Sequence, residues 1–498
     1  MTSTTRRQIG TSIIWSGAGA FLLKLGQLAV GVFAARVLAP HDFGVFAVAM
    51  VVYAVVVNVS DVGVGSALIR ERERLDELAP TAVTLSLASA FTLAGLMVLA
   101  ARPLAAALGA PESGAAIQVL AIVVLLGGPS AVPAALLTRG FRQDLRFRAD
   151  AANFLAANAV MIPMALAGWG AMALAWSRVI GQIVSVAVLQ VLAPRRYAPR
   201  FERRVAGELV RFGLPLIGAN LAGFALNNAD SVTISRVNGP IPLGTYTLAN
   251  NVGSWPQGLM QPILLNVGLP LVSQLRTSKE RLTRFVSLSL SITTGSFFFA
   301  SAVIAALSGP LVLTFYGEKW RAAIPVLSVL ALVGFLRCLL TPLAEVLVAC
   351  RATQGLFVVN LVWLVTLVPA LIIGVLWLGP IGAAWAHLAV LVVIVTPLML
   401  GYLARAASLP LGPALRGMVF PLVTGTFAAV VGYGVATVVP TPWLALIAGG
   451  LAALGVYLGL AFRWIRAQLR AVRDLAGALH PEDAVASADV VEDVGEAP

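Results

Sequence analysis

The sequence predicts an all-α, polytopic membrane protein with about fourteen transmembrane helices, and three observations carry this prediction. First, 59% of the 498 residues are hydrophobic and only 11% are charged, whereas a soluble domain carries about 25% charged residues. Second, apolar segments of the roughly 20 residues needed to cross a bilayer follow one another along almost the whole chain. Third, the connections between them are short. A soluble globular enzyme is therefore excluded.

The apolar segments start near the N-terminus, and the last one ends near residue 463. Prolines inside several segments predict local bends, because neighbouring helices in a membrane can satisfy the backbone groups that a proline frees. The acidic end of the chain lacks helical patterning and predicts a disordered cytoplasmic tail. The segments lie near residues 9–38, 42–62, 78–101, 114–138, 149–168, 171–193, 209–235, 243–271, 285–308, 322–349, 355–377, 380–402, 414–438 and 442–463.

Basic residues alternate between the two predicted sides of the membrane. With a cytoplasmic N-terminus, 26 of the 34 Lys and Arg residues fall in cytoplasmic segments, five in outer segments and three inside spans. Cytoplasmic loops of membrane proteins carry such an excess, so the split favours this orientation in a bacterial inner membrane, with both termini cytoplasmic. The same rule explains the formal net charge of +12, and no nucleic acid is expected as a partner.

The two halves of the chain share a sequence repeat. Residues 36–44 carry the pattern Arg-Val-x-x-Pro-x-x-x-Gly, which recurs at residues 236–244, and Trp-x-Arg at 176–178 is matched by Trp-x-His at 385–387. Six spans in each copy give both copies the same polarity, which is a parallel repeat about an axis along the membrane normal. The predicted domains are an N-terminal six-helix bundle (1–207), a C-terminal six-helix bundle (208–408), two additional transmembrane helices (409–473) and the tail (474–498).

Three stretches of the chain resemble a known family. Residues 35–69 contain L-x-P-x-D-F-G and, one helix later, D-x-G-x-x-x-A-L-I. The sequences of residues 135–147 and 211–230 also resemble those of the family. With two six-helix copies and two extra helices, the layout is similar to that of the polysaccharide transporter branch of the multidrug/oligosaccharidyl-lipid/polysaccharide (MOP) superfamily. The resemblance covers about residues 1–465, mainly through structural Gly and Pro positions.

The resemblance implies a function and its partners. It implies a flippase that translocates undecaprenyl-diphosphate-linked oligosaccharide across the bacterial inner membrane for the synthesis of lipopolysaccharide or another exported polysaccharide. It also implies alternating access, in which two bundles rock around a central cationic cavity. The expected partners are the lipid-linked oligosaccharide and membrane lipid, with a polysaccharide polymerase and glycosyltransferases as candidate protein partners. A monomer is expected.

Three basic residues inside predicted spans are candidates for binding the substrate. Lys24 lies at the middle of the first span, Arg337 is equally central in the tenth, and Arg178 lies nearer the outer face in the sixth. A central charge costs about 2.5–3.5 kcal/mol by insertion scales, and an ammonium or guanidinium suits a diphosphate. The plainer alternatives are snorkelling or a buried pair with a carboxylate. Glu345 lies about 12 Å from Arg337 along the helix, which is too far for a simple pair.

Spans seven and eight carry an unusual number of side-chain amides. Asn227, Asn228, Asn250 and Asn251 are the central ones. Because an amide both donates and accepts hydrogen bonds, these side chains suit sugar hydroxyls, and we interpret them as substrate-binding residues. The alternative is hydrogen bonding between helices.

Three titratable residues are candidates for ion coupling. Asp230, in the seventh span, is the best candidate for a cation or proton site. His387, in the twelfth, suits proton coupling because histidine changes its charge near neutral pH, although a packed, hydrogen-bonded histidine is the plainer interpretation. Glu345, near the cytoplasmic end of the tenth span, is the third candidate, and its alternative role is to reach the membrane surface.

Two other functions stay open at this point. A multidrug or organic-cation antiporter of the same superfamily should have an acidic cavity, whereas three deep basic residues against two acidic ones slightly favour an anionic substrate. A membrane enzyme of envelope polysaccharide synthesis would need paired carboxylates or histidines in an outer loop, and the sequence has none there. No enzyme activity, cofactor or metal site is predicted. Cys338 and Cys350 are too far apart on one helix for a disulfide.

Overall fold

Every regular element in the part of the chain that the structure describes is a helix, which confirms the predicted all-α membrane class. The structure is a computed structural model. Twelve of the described helices are long and apolar enough to cross a membrane. The described residues are 23–60, 64–70, 74–140, 142–258, 279–407 and 411–477.

The helices follow one another with short turns. A π-helical turn at Thr294–Phe298 joins α10 to α11, and another at Leu391–Val395 joins α15 to α16, so that each of these pairs crosses as one span. The elements are α1 (residues 23–37), α2 (Pro40–Ser60), α3 (Val64–Arg70), α4 (Leu75–Ala107), α5 (Gly114–Arg139), α6 (Gln143–Leu166), α7 (Ala171–Leu192), α8 (Arg203–Asn238), α9 (Pro240–Gly253), α10 (Lys279–Thr293), α11 (Phe299–Ala306), α12 (Ser308–Phe315), α13 (Ile324–Ala349), α14 (Thr353–Leu378), α15 (Pro380–Val390), α16 (Thr396–Ala407), α17 (Leu411–Val438) and α18 (Pro442–Gly477).

The twelve observed candidate spans correspond to twelve of the predicted ones. The other two, near residues 9–38 and 243–271, extend into residues outside the described part, so the total of fourteen stays a prediction. Pro133 and Pro163 lie inside continuous helices, as expected for spans packed in a membrane. The last helix continues to Gly477, beyond the predicted end of the last span, and the rest of the predicted tail lies outside the described residues.

Large apolar side chains cover the outer surface of the helices. Leu99, Trp377 and Val438 are among many that are largely exposed. Soluble proteins rarely expose contiguous apolar surface of this extent, whereas lipid chains cover it at no cost. This surface supports a multi-pass membrane protein.

The first of two compact units comprises Met1–Ala249, Phe315–Val326 and Leu364–His387. One of its apolar cores joins α2, α4, α5 and α7. Small residues let the helices approach closely there: a Cβ on Gly128 would lie 2.9 Å from the Cβ of Ala90. The predicted bundle boundaries at 207 and 408 concern the sequence repeat and stay a prediction.

The connection between α7 and α8 is fastened to the start of α4, within the first unit. The Tyr197 hydroxyl donates a hydrogen bond of 2.6 Å to Asp76, and Thr84 donates one of 2.7 Å to the carbonyl oxygen of Arg200. Burial and the hydrogen bond to the Asp76 carboxylate raise the pKa of Tyr197, so its hydroxyl stays protonated and keeps donating. The connection is thus an ordered part of the unit.

The second unit comprises Asn250–Thr314, Leu327–Trp363 and Leu388–Pro498. In it, α17 and α18 cross at two glycines: a Cβ on Gly432 would lie 2.7 Å from the carbonyl oxygen of Gly449. The Tyr457 hydroxyl in α18 donates to the carbonyl oxygen of Gly295, in the first π-helical turn. This side chain therefore ties the C-terminal helix pair to the α10–α11 span.

Glycines with positive φ occur at matching places in the two halves. Gly109 and Gly317 have φ of 78° and 91°, and Gly170 and Gly379 have φ of 52° and 64°. Only glycine adopts such angles without strain. The members of the two pairs are 208 and 209 residues apart, close to the offset of 209 between Trp176 and Trp385 in the sequence repeat. The pairs support the repeat, and superposition of the complete halves stays a prediction.

The predicted orientation has a direct test at the ends of described helices. A cysteine at Pro440, the exposed turn between α17 and α18, is expected to react from outside the cell with a membrane-impermeant thiol reagent, in a background lacking both native cysteines. A cysteine at Arg200 is expected to react only after the membrane is permeabilised, because its connection carries the cytoplasmic excess of arginines. The reverse pattern would contradict the orientation.

Candidate functional site

Asp230 in α8 and His387 in α15 approach each other in a deeply buried pair within the first unit. The His387 Nε2 lies 3.4 Å from the Asp230 Oδ2, and the two side chains are 0% and 2% exposed. Tyr246 in α9 is also buried and donates its hydroxyl to the same carboxylate oxygen at 2.7 Å. The backbone N–H of Ser231 donates to the other oxygen, Oδ1, at 2.7 Å. The structure thus brings together two of the three ion-coupling candidates.

The position of His387 in its helix is also notable. It lies at the end of α15, and the π-helical turn Leu391–Val395 follows directly. Such turns often occur at functional sites. Both ring nitrogens of His387 are buried and have no hydrogen-bond partner among the described residues, so the 3.4 Å approach of Nε2 to Asp230 is not a hydrogen bond. The imidazole therefore lies beside the carboxylate and uses neither nitrogen in a hydrogen bond to a described residue.

This arrangement can hold a proton. An isolated charge buried away from water is costly, so a carboxylate and an imidazole in contact are stable either as a charged pair or as a neutral one. Both forms leave the pair uncharged overall, and gaining or losing one proton changes its net charge. A small cation at the Asp230 carboxylate would have the same effect. The pair is therefore a candidate site for a proton or a small cation.

Tyr246 is the one member of this cluster that the sequence alone does not single out. Its equivalent in the first copy of the repeat is Phe46. The two aromatic rings differ by one hydroxyl, and that hydroxyl makes the hydrogen bond to Asp230. A polar substitution between two otherwise matching repeat positions is the signal that could have identified it.

The basic candidates of the first unit occupy separate helices. Lys24 in α1 is half-buried and forms no hydrogen bond or ion pair with another described residue. The adjacent part of α1 packs on α6, where the Phe154 ring lies against Gly26. Arg178 in α7 is exposed. A role for either residue in substrate binding stays a prediction.

Arg337 and Glu345 both belong to α13, in the second unit. Each is half-buried, and they do not pair with each other, as their spacing predicts. The Nε of Arg337 is buried and has no hydrogen-bond partner among the described residues. A guanidinium with an unsatisfied N–H inside a span suits an anionic ligand. Glu345 forms no hydrogen bond or ion pair with another described residue.

The four asparagines are divided between the units. Asn227 and Asn228 in α8 donate their side-chain amides to the carbonyl oxygens of Gly223 and Phe224, one turn earlier in the same helix. Asn227 is exposed. Asn250 and Asn251 end α9 and belong to the second unit. The structure does not unite all four in one unit, and their predicted contacts with sugar stay a prediction.

The described fold defines a class of protein, an all-helical multi-pass membrane protein, and its family and relatives support a polysaccharide transporter of the MOP superfamily. Within this class, the chain belongs to the family described as "Polysaccharide biosynthesis protein", whose profile matches residues 33–325.

Two relatives and one solved structure extend this result. The chain is 29% identical to the succinoglycan biosynthesis transport protein ExoT of Rhizobium meliloti (strain 1021), over 97% of this chain and 98% of that protein. It is 25% identical to the lipopolysaccharide biosynthesis protein WzxC of Escherichia coli (strain K12), over 76% and 77%. Its fold is similar to that of the lipid II flippase MurJ in an inward closed conformation, with a TM-score of 0.73, 14% identity, and coverage of 92% and 100%.

Proposed function

We propose that the protein is a flippase that moves undecaprenyl-diphosphate-linked oligosaccharide across the bacterial inner membrane for the synthesis of a cell-surface polysaccharide. The observation that carries the proposal is the near full-length similarity to a transport protein of succinoglycan biosynthesis. Basic residues inside the spans supply the physical support, because a diphosphate needs compensating charge in the membrane. A polymerase and glycosyltransferases are proposed as protein partners, and the transporter itself acts as a monomer.

The diphosphate gives the basic residues their role. It must leave the inner surface and cross a hydrocarbon core about 30 Å thick. Lys24 offers an ammonium without a described partner, and Arg337 offers a guanidinium whose Nε is unsatisfied. Arginine can bind two phosphate oxygens at once, whereas lysine acts as a point charge. Arg178 supplies a third, more exposed cation. Each charge lowers the free-energy cost of moving the anion through the membrane, and no covalent bond is formed.

The asparagines contact the sugar. In Asn227 and Asn228 the side-chain N–H groups are used within α8, so each side-chain oxygen is available to accept from a hydroxyl. Asn250 and Asn251 contribute in the same way from the end of α9. Neutral amides suit this role because they bind sugar hydroxyls without adding a charge that would hold the head group too tightly.

Transport is coupled to an ion through the Asp230–His387 pair. Its burial, its shared hydrogen bond with Tyr246 and the unused Nδ1 of His387 support a proton as the ion. Proton binding changes the net charge of the pair and so changes which packing of α8, α9 and α15 is favoured. Glu345 is the second candidate for an ion site, on the evidence of its half-buried position in a span.

The test is translocation by the purified protein in lipid vesicles. Fluorescent undecaprenyl-diphosphate-linked oligosaccharide placed in one leaflet is expected to reach the other faster than in protein-free vesicles. Undecaprenyl phosphate without sugar is the matched control, because it tests whether the saccharide is recognised. Export of an organic cation such as ethidium, with no movement of the lipid-linked oligosaccharide, would overturn the proposal in favour of a cation antiporter.

A further inference from the structure

The two copies of the sequence repeat meet reciprocally at the end of the helices that is predicted to face the outside. In α2, a Cβ on Gly44 would overlap the carbonyl oxygen of Pro240. In α9, a Cβ on Gly244 would overlap the carbonyl oxygen of Pro40. The two glycines, like the two prolines, occupy equivalent places in the repeat. The same contact is therefore made twice, within the first unit, as in a two-fold symmetric interface.

Two arginines at the same end of the helices make a second pair of reciprocal contacts between the copies. The Nε of Arg36 donates to the carbonyl oxygen of Phe315 at 2.7 Å, and the Nη1 of Arg236 donates to the carbonyl oxygen of Ala107. Phe315 and Ala107 are the last residues of α12 and α4, and each lies two residues before a glycine with positive φ. Each arginine thus crosses from its own copy to a helix C-terminus in the other, where a cation is favoured.

The Arg36 side of this contact is reinforced. Lys319 donates its ammonium to the carbonyl oxygens of Arg36 and Leu38 at 2.8 and 2.7 Å. The Trp320 indole donates to the carbonyl oxygen of Ala35 at 2.8 Å. These bonds tie the end of α1 to the segment before α13. The Arg36 side therefore has support that would remain if the arginine were lost.

The Arg236 side has less support. Beside the arginine, the Ser235 hydroxyl donates to the carbonyl oxygen of Leu108 at 2.6 Å. Arg236 itself is exposed, so water can replace its bond to the carbonyl oxygen. All the acceptors named on both sides are backbone carbonyl oxygens rather than carboxylates. Such bonds contribute modestly and can be exchanged with water, which suits a contact that has to open and close.

We propose that Arg36 and Arg236, with their carbonyl acceptors Phe315 and Ala107, form a latch that holds the outer end of the transport path closed. Both bonds have to be released before the bound substrate can leave to the outside. That the latch must open rests on the proposed function. That it lies at the outer end rests on the predicted orientation. It assigns a positioning role in transport to two exposed arginines that contact no substrate.

Accessibility of a protected position tests the latch. Val48 lies one helical turn beyond Gly44 on the same face of α2 and is buried. Val48→Cys, in a background lacking both native cysteines, should react slowly with a membrane-impermeant thiol reagent added outside. Adding Arg236→Met is expected to raise the rate about two- to tenfold, because the lost hydrogen bond lies at an exposed position and contributes modestly. Arg36→Met should raise it less, because Lys319 and Trp320 remain, and the double variant should raise it most.

Arg102→Met is the matched control. Arg102 is an exposed arginine of α4 at the same end and forms no hydrogen bond or ion pair with a described residue, so its loss should leave the labelling rate unchanged. Arg236→Lys keeps the cation and should give an intermediate rate, which separates loss of the bond from misfolding. A double variant that labels like the Val48→Cys parent would overturn the latch, as would an equal effect of Arg102→Met. The assay needs no substrate, so a failure of the proposed function in the vesicle assay is a separate result.

Discussion

Replacing Lys24 with glutamine is expected to abolish or severely weaken translocation of the lipid-linked oligosaccharide, with a loss of about tenfold or more. The change removes the charge and keeps similar bulk. Hydrogen bonds to charged groups contribute about 1.5–3 kcal/mol, and each step of about 1.4 kcal/mol is a factor of ten. Arg337→Gln should have a similar effect. The loss of transport is measured by complementation of a flippase-deficient strain and by flipping in reconstituted vesicles. The variants should be present in the membrane at normal levels.

Controls separate binding from stability. Lys24→Arg should retain part of the activity, because the charge survives while its geometry changes. Gln27→Ala changes an exposed polar residue about one turn further along α1 and should leave transport intact. If both neutral variants transport like the parent protein, the cationic cavity is wrong. If they recover only when Asp230 or Glu345 is also neutralised, the charges are paired for stability, and an anionic substrate loses its main support.

The helical architecture followed from the sequence because a bilayer imposes a simple rule on composition and length. Spans appear as apolar segments, and prolines such as Pro133 and Pro163 do not break them in the structure. The predicted separation of Arg337 and Glu345 also holds, because it depends only on the rise of one helix. In each case the deciding physics is local, so one sequence carries the information.

Contacts between helices that are far apart in the sequence could not be predicted from the sequence alone. Asp230 and His387 were separate candidates in the sequence, far apart along the chain, and only helix packing brings them within 3.4 Å. Tyr246 completes the cluster through one hydroxyl that Phe46 lacks. The repeat likewise identifies Arg36 and Arg236 as equivalent residues. The offset between the two copies shows which residues are equivalent. It does not show that each arginine binds a residue of the other copy.

The Asp230–His387 pair leads to the second large expected effect. Asp230→Asn is expected to abolish transport driven by a pH gradient, with a loss of about tenfold or more in the gradient-dependent rate, while slow exchange down a substrate gradient persists. Asparagine has nearly the same shape, and its single side-chain oxygen can still accept from the Ser231 N–H while its NH2 group donates to the Tyr246 oxygen. It cannot bind or release a proton. Reconstituted vesicles with an imposed pH gradient measure the effect, and proton movement on adding substrate should disappear with it.

A pair that serves only stability would behave differently, and a double variant distinguishes the two roles. His387→Gln alone leaves the Asp230 carboxylate buried without its imidazole, and breaking a buried pair in this way costs about 3–5 kcal/mol. Asp230→Asn with His387→Gln removes both charges and should regain part of that stability, measured by thermal unfolding in detergent, without regaining coupling. Tyr246→Phe, which reproduces the residue of the first copy, should weaken coupling less, because the carboxylate and imidazole remain. Transport in the double variant that still responds fully to the pH gradient would show that the pair holds α8 and α15 together and that the proton binds elsewhere.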